Sequence, residues 1–109
     1  MSSSIQQFKS DFFKALAHPM RIHILEVLCN GPRSVNELQA ILGSEGSAVS
    51  QQLAVLRNKN VVTGTKEGTT VTYFLRDPLI KDLLLIAKQI FDNHLVDAVS
   101  LLEEFRNEQ

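Results

Sequence analysis

The stretch Ser47-Ala48-Val49-Ser50-Gln51-Gln52-Leu53-Ala54-Val55-Leu56-Arg57, followed ten residues later by Glu67-Gly68, decides the fold. At 100° per residue, Val49, Leu53 and Leu56 fall on one helical face, the i, i+4, i+7 stripe that packs inward. Ser47, Ser50, Gln51, Ala54 and Asn58 fall on the opposite face, which holds no acidic side chain. Short hydroxyl, amide and methyl groups of this kind suit a DNA major groove. A glutamine amide pairs bidentately with adenine, serine bonds bases or phosphate, and an alanine methyl meets the thymine methyl. Arg57 and Lys59 near the helix end, and Lys66 beside the turn, supply cations for phosphates. A solvated surface helix also shows a polar face, so the flanking elements must carry the reading.

Downstream, Val61–Lys66 and Thr69–Leu75 are rich in Val, Thr, Tyr and Phe and flank Glu67-Gly68, a turn pair, which predicts a β-hairpin. Upstream, Ser34-Val35-Asn36-Glu37 spells a capping box, starting a short helix that Gly43 ends after Leu42. Ser44-Glu45-Gly46 leaves the start of the next helix open, with Ser44 a possible cap, and Asn60 can take the left-handed conformation that closes it. A further helix runs from Pro19 to about Cys29 with His18 as its cap, preceded by one over residues 5–17 carrying Ile5, Phe8, Phe12, Phe13 and Leu16. After Asp77-Pro78, a second cap-proline pair, the chain is helical again, with or without a break, to Phe105. The predicted fold is mainly α with a β-hairpin wing, in the order α-α-α-α-β-β-α: a winged helix-turn-helix occupying residues 1–109 as a single domain.

Bulk properties narrow the function. A length of 109 residues fits one domain, and 44% hydrophobic with 21% charged residues is the balance of a soluble globular protein. The longest apolar run, Leu83–Ala87, falls far short of the roughly 20 residues that cross a bilayer. Met1–Ile5 has neither the basic nor the apolar region of a secretory signal, and Cys29 has no partner for an internal disulfide, so a cytoplasmic location is expected with no membrane partner. The net charge of −1 argues against an indiscriminate polyanion binder. Its distribution is uneven: residues 47–76 carry a local +3 and residues 77–109 a local −4. One face is thus suited to an anionic partner.

Lys14-Ala15-Leu16-Ala17-His18-Pro19-Met20-Arg21-Ile22, the Ser47–Arg57 stretch, and Glu67-Gly68 with Val71, Tyr73 and Leu75 resemble the ArsR/SmtB family of bacterial repressors over residues 10–90. The resemblance implies a homodimeric winged-helix repressor on double-stranded operator DNA. The helix from Ser47 to Lys59 would read the major groove through Ser47, Ala48, Ser50, Gln51 and Gln52. Arg57 and Lys59 would meet the backbone, the hairpin with Lys66, Thr69 and Thr70 would lie along the backbone or minor groove, and the first and last helices, residues 1–17 and 77–105, would form the dimer. Thr69-Thr70 stands where the family often carries arginines, which weakens the phosphate grip of the wing.

The family's metal sites have no counterpart. The stretch comparable to a Cys-x-Cys pair reads Ser34-Val35-Asn36, and the fifth-helix set of Asp-x-His and His-x-x-Glu reads Asp77-Pro78-Leu79 and Ile90-Phe91-Asp92-Asn93. Hydroxyls, amides and aliphatic chains are poor ligands for soft metals, so no metal and no cofactor is expected. Asp82, His94 and Asp97 offer a conceivable shifted site, read more simply as solvated side chains. Cys29, on an Ile22, Leu25, Cys29 stripe, reads as an inert core thiol, and His23 as a surface residue.

A domain of this size cannot easily cover Phe8, Phe12, Leu79, Leu83, Ile86 and Ile90 alone. Pairing across a two-fold axis would hide them, unless the terminal segment folds back onto its own core. No glycine-rich phosphate loop, paired-histidine metal motif or nucleophile elbow is present, so no enzymatic activity is expected. The expected function is a sequence-specific, autoregulatory repressor on an inverted repeat, not responsive to metals. The net negative charge and the wing without arginines leave a winged-helix protein-interaction module as the alternative, against which the local +3 argues.

Overall fold

A computed structural model describes residues 3–108. Five helices and three strands follow one another as α1 (Ser3–Leu16), α2 (Pro19–Leu28), β1 (Arg33–Ser34), α3 (Val35–Leu42), α4 (Gly46–Asn58), β2 (Val62–Glu67), β3 (Thr70–Leu75) and α5 (Leu79–Asn107). The cap residues set these boundaries. His18 Nδ1 accepts the Met20 N–H at 3.1 Å and Asp77 Oδ1 accepts the Leu79 N–H at 2.9 Å. At each site the proline that follows has no N–H to leave unpaired; Pro19 is the first residue of α2, whereas Pro78 itself stands at the cap position of α5, one residue later than the Asp77-Pro78 pair predicts. Gly43 at φ 67° and Asn60 at φ 59° close α3 and α4 in the left-handed region.

Local sequence was an incomplete guide at four places. The sheet has three strands in the order β1-β3-β2, because Arg33 and Ser34 pair antiparallel with Tyr73 and Thr72. Two residues wedged between Pro32 and the first helical residue, Val35, carry no periodicity, so this strand leaves no trace in the sequence. The hairpin turn is Gly68-Thr69 rather than Glu67-Gly68, since Glu67 still pairs with Thr70. Gly68, at φ 63°, supplies the left-handed residue at the first central position of a two-residue loop. Helix α4 starts at Gly46 with Glu45 as its cap residue and no side-chain cap, so Ser44 does not take that role. Helix α5 is one unbroken 29-residue helix.

The core lies between α2, α3, α4 and the base of the wing. Ile24, Leu25 and Leu28 of α2 meet Leu38 of α3, the predicted Val49, Leu53, Leu56 stripe of α4, and Val61 with Val62. The buried face of α2 is therefore Ile24, Leu25, Leu28. Ile22 and Cys29 lie beside it: Ile22 is exposed and Cys29 only half-buried, so neither is the core residue its spacing suggested. From α5 only Ile80 is buried, and every residue from Lys88 to Glu108 is exposed. The terminal segment does not fold back. The radius of gyration of 17.7 Å exceeds the roughly 13 Å of a compact chain of this size because α5 projects as an arm.

Candidate nucleic-acid interface

The burial of Val49, Leu53 and Leu56 fixes the rotation of α4. Ser47, Ser50, Gln51 and Asn58 are consequently exposed on its outer face, with Ala54 half-covered among them. Ala48 and Gln52 sit on a flank and are half-buried, while Arg57 and Lys59 are exposed at the C-terminal end. An outer surface of short polar groups with cations at one end offers hydrogen-bond donors and acceptors to base edges and charge to phosphates.

The wing adds a second set. The register pairs Lys66 with Val71, Gly64 with Tyr73 and Val62 with Leu75, so Lys66 lies on the face of the hairpin that leads into the core. Glu67 pairs with Thr70 and Thr65 with Thr72 on the other face, so the wing's acid and its lysine point to opposite sides. Lys66, Thr69 and Thr70 are all exposed near the tip.

One residue given no role by sequence reasoning reaches this surface. Arg21, in the first turn of α2, sends Nε to the Ala15 carbonyl at 2.7 Å, Nη2 to the Lys14 carbonyl at 3.3 Å and Nη1 to Gln52 Oε1 at 2.9 Å. A cation in the first turn is at the unfavourable end of its own helix dipole; it is favoured instead at the C-terminal carbonyls of α1. That mismatch is the one signal the sequence offered.

The apolar surplus stands away from α4. Phe8 is 77% exposed, Leu79 67%, Ile86 57% and Ile90 52%, whereas Phe12 and Leu83 are half-buried and Phe12 packs on its own core. An apolar cavity of about 240 Å³ lies where Phe13, Leu16, Ile22, Leu84 and Phe91 converge between α1, α2 and α5. Among the described residues no three His, Cys, Asp or Glu side chains converge to hold a metal ion, and no helix is long and apolar enough to cross a membrane. Burial pushes the Cys29 thiol pKa up, against the opposing pull of Lys81.

A helix-turn-helix whose second helix presents a polar face beside a β-hairpin defines a winged helix-turn-helix protein. The chain belongs to the arsR family of bacterial regulatory proteins: that family's model, described as "Bacterial regulatory protein, arsR family", matches residues 18–63. It is 42% identical to the HTH-type transcriptional regulator Rv0081 of Mycobacterium tuberculosis (strain ATCC 25618 / H37Rv), over 96% of this chain and 93% of that one. The crystal structure of M. tuberculosis Rv0081 superposes with a TM-score of 0.81, covering 88% of this chain and 97% of that one at 42% identity. A solution structure of the homodimeric winged helix-turn-helix domain of Mb0332 from Mycobacterium bovis superposes with a TM-score of 0.79 at 26% identity, covering 86% and 87% of the two chains. The protein is thus a transcriptional regulator with a winged helix-turn-helix DNA-binding fold.

Proposed function

We propose that the protein is a homodimeric repressor that binds an inverted-repeat operator, its own promoter included. The observation that carries this reading is the outer face of α4, where Ser47, Ser50, Gln51 and Asn58 stand exposed with no acid among them. Ser47, Ser50 and Gln51 meet base edges, joined from the flank by Ala48 and Gln52, and Arg57, Lys59, Lys66, Thr69 and Thr70 meet the backbone. The dimer forms through the segments 1–17 and 77–105, where Phe8, Phe12, Leu79, Leu83, Ile86 and Ile90 supply the apolar contact. The homodimeric state of the Mb0332 domain supports a homodimer. A two-fold axis sets two α4 helices about one DNA turn apart, so the preferred site is palindromic. Bound there, the dimer occludes the promoter and represses by exclusion. Release is not driven by zinc, nickel or arsenite acting at the family's two known metal sites, because the comparable positions hold Ser34, Asn36, Leu79 and Ile90.

Selection of duplexes from a randomised pool by the purified protein tests the reading. Recovery of an inverted repeat, bound by two protomers and also present in the DNA preceding the protein's own gene, is the expected result. Failure to enrich any sequence would overturn it.

A further inference from the structure

Resting on that DNA-binding reading, we infer that Arg21 is a positioning residue which turns the Gln52 amide so that its Nε2 is presented as a donor to an acceptor on the DNA.

A guanidinium has donors and no acceptor. The contact of Arg21 Nη1 with Gln52 at 2.9 Å therefore requires the amide oxygen on the Arg21 side, and the amide –NH₂ turns the other way. That nitrogen has no partner among the described residues and so keeps both N–H groups for an external acceptor. Arg21 is itself held: its Nε and Nη2 bind the carbonyls of Ala15 and Lys14, at the C-terminus of α1, and the residue as a whole is half-buried. All three of its nitrogens are engaged, so the fork cannot swing without losing a helix cap.

Gln51 and Gln52 thereby differ in chemistry although they are adjacent and identical. Gln51 is exposed with both ends of its amide free and can pair bidentately with adenine, giving and accepting. Gln52, on the flank of α4, has its oxygen turned to Arg21 and presents its –NH₂ outward. The acceptors open to that –NH₂ are a phosphate oxygen or the O6, N7 or O4 atoms of a base edge. The same fork ties the end of α1, the proposed dimer helix, to the side of the reading helix, so the orientation of this contact is set by the dimer body.

A double-mutant cycle on a labelled duplex recovered by the wild-type protein from a randomised pool tests the inference. Arg21→Met keeps the length of the side chain and removes its donors. It is expected to weaken binding about fivefold when Gln52 is present, the effect of one lost hydrogen bond, and to add nothing in a Gln52→Ala background. Arg21→Lys, which retains one donor, restores part of the loss. Melting temperature, followed for every variant, separates the lost α1 cap, which lowers it equally in both backgrounds. Equal weakening of DNA binding by Arg21→Met in the two backgrounds, or none in either, would overturn the inference while leaving the DNA-binding reading intact. Absence of wild-type binding to any duplex would remove that reading itself. Repeating the selection with Gln52→Ala identifies the acceptor. Relaxation at one base position marks a base edge, and an unchanged sequence with uniformly lower affinity marks phosphate.

Discussion

Ser34 and Glu37 cap one another. The Glu37 N–H donates to Ser34 Oγ at 3.2 Å and the Ser34 N–H donates to Glu37 Oε1 at 3.0 Å. Ser34 also pairs with Thr72 in β3, so the residue that starts the first helix of the helix-turn-helix also anchors the wing. Ser34→Ala should cost about 1 kcal/mol, the usual worth of a lost N-cap. Thermal unfolding checks this, with a fall of about 4 °C or more expected.

The same pair makes stability depend on pH. The Ser34 N–H, and after it the Ser34 hydroxyl, hold the Glu37 carboxyl below its ordinary value. A depressed carboxylate contributes stability that is complete above the ordinary glutamate range and is lost as the pH falls through the lower folded value. Glu37→Gln should therefore flatten the dependence of melting temperature on pH on the acid side of about pH 4.5 and leave its neutral part nearly unchanged. An unaltered acid limb would mean that the box contributes nothing there.

Base reading and phosphate contact should separate by mutation. Gln51→Ala should cost about 1–3 kcal/mol on the selected site and relax its preference. Lys66→Ala should weaken all duplexes alike and lower the slope of log affinity against log salt by about one. Anisotropy titrations on matched and mismatched duplexes at several salt concentrations measure both.

The projecting arm should matter for association and not for the fold. Ile86→Glu combined with Ile90→Glu alters two exposed side chains that no core residue needs. Helix content should persist, the mass by sedimentation should fall to that of one chain, and operator affinity should drop about a hundredfold as the two half-sites are uncoupled. A dimer that survives both changes would move the interface elsewhere.

Cys29 should be a slow nucleophile. Its half-buried place at the end of α2 raises the thiol pKa, so little thiolate exists at neutral pH. Alkylation by iodoacetamide at pH 7.5 should lag behind that of a free cysteine, and Cys29→Ala should bind DNA as the parent does. Titrating zinc, nickel or arsenite into the protein–duplex complex should likewise leave its anisotropy unchanged; a loss abolished by His94→Ala would place a metal site on α5.

What could be read in the sequence was what local chemistry determines. The Ser34–Glu37 box, the His18 cap and the Val49, Leu53, Leu56 stripe each depend on residues within about two turns of one another, and each is found in the fold, while Asp77 bonds the Leu79 N–H from one position before the Pro78 cap. Features resting on distant partners were not readable. The strand Arg33–Ser34 exists only because β3 lies beside it, and the contact from Arg21 to Gln52 spans 31 positions. The stripe through Ile22, Leu25 and Cys29 had the right period but the wrong phase, because α3 and α4 take up the face formed by Ile24, Leu25 and Leu28. Glu45 gave no sign of starting α4, since its side chain makes no cap.

The spacing of the two reading helices can be tested most directly by inserting about five base pairs, half a helical turn, between the half-sites of the selected duplex and measuring affinity by anisotropy. A rigid two-fold dimer cannot then place both α4 helices on the same side of the DNA, and affinity should collapse to that of a single half-site. Insertion of about ten base pairs should not restore it, because a dimer joined through α1 and α5 would fix the distance as well as the phase. Undiminished binding to the half-turn insertion would contradict a dimer that reads two successive grooves.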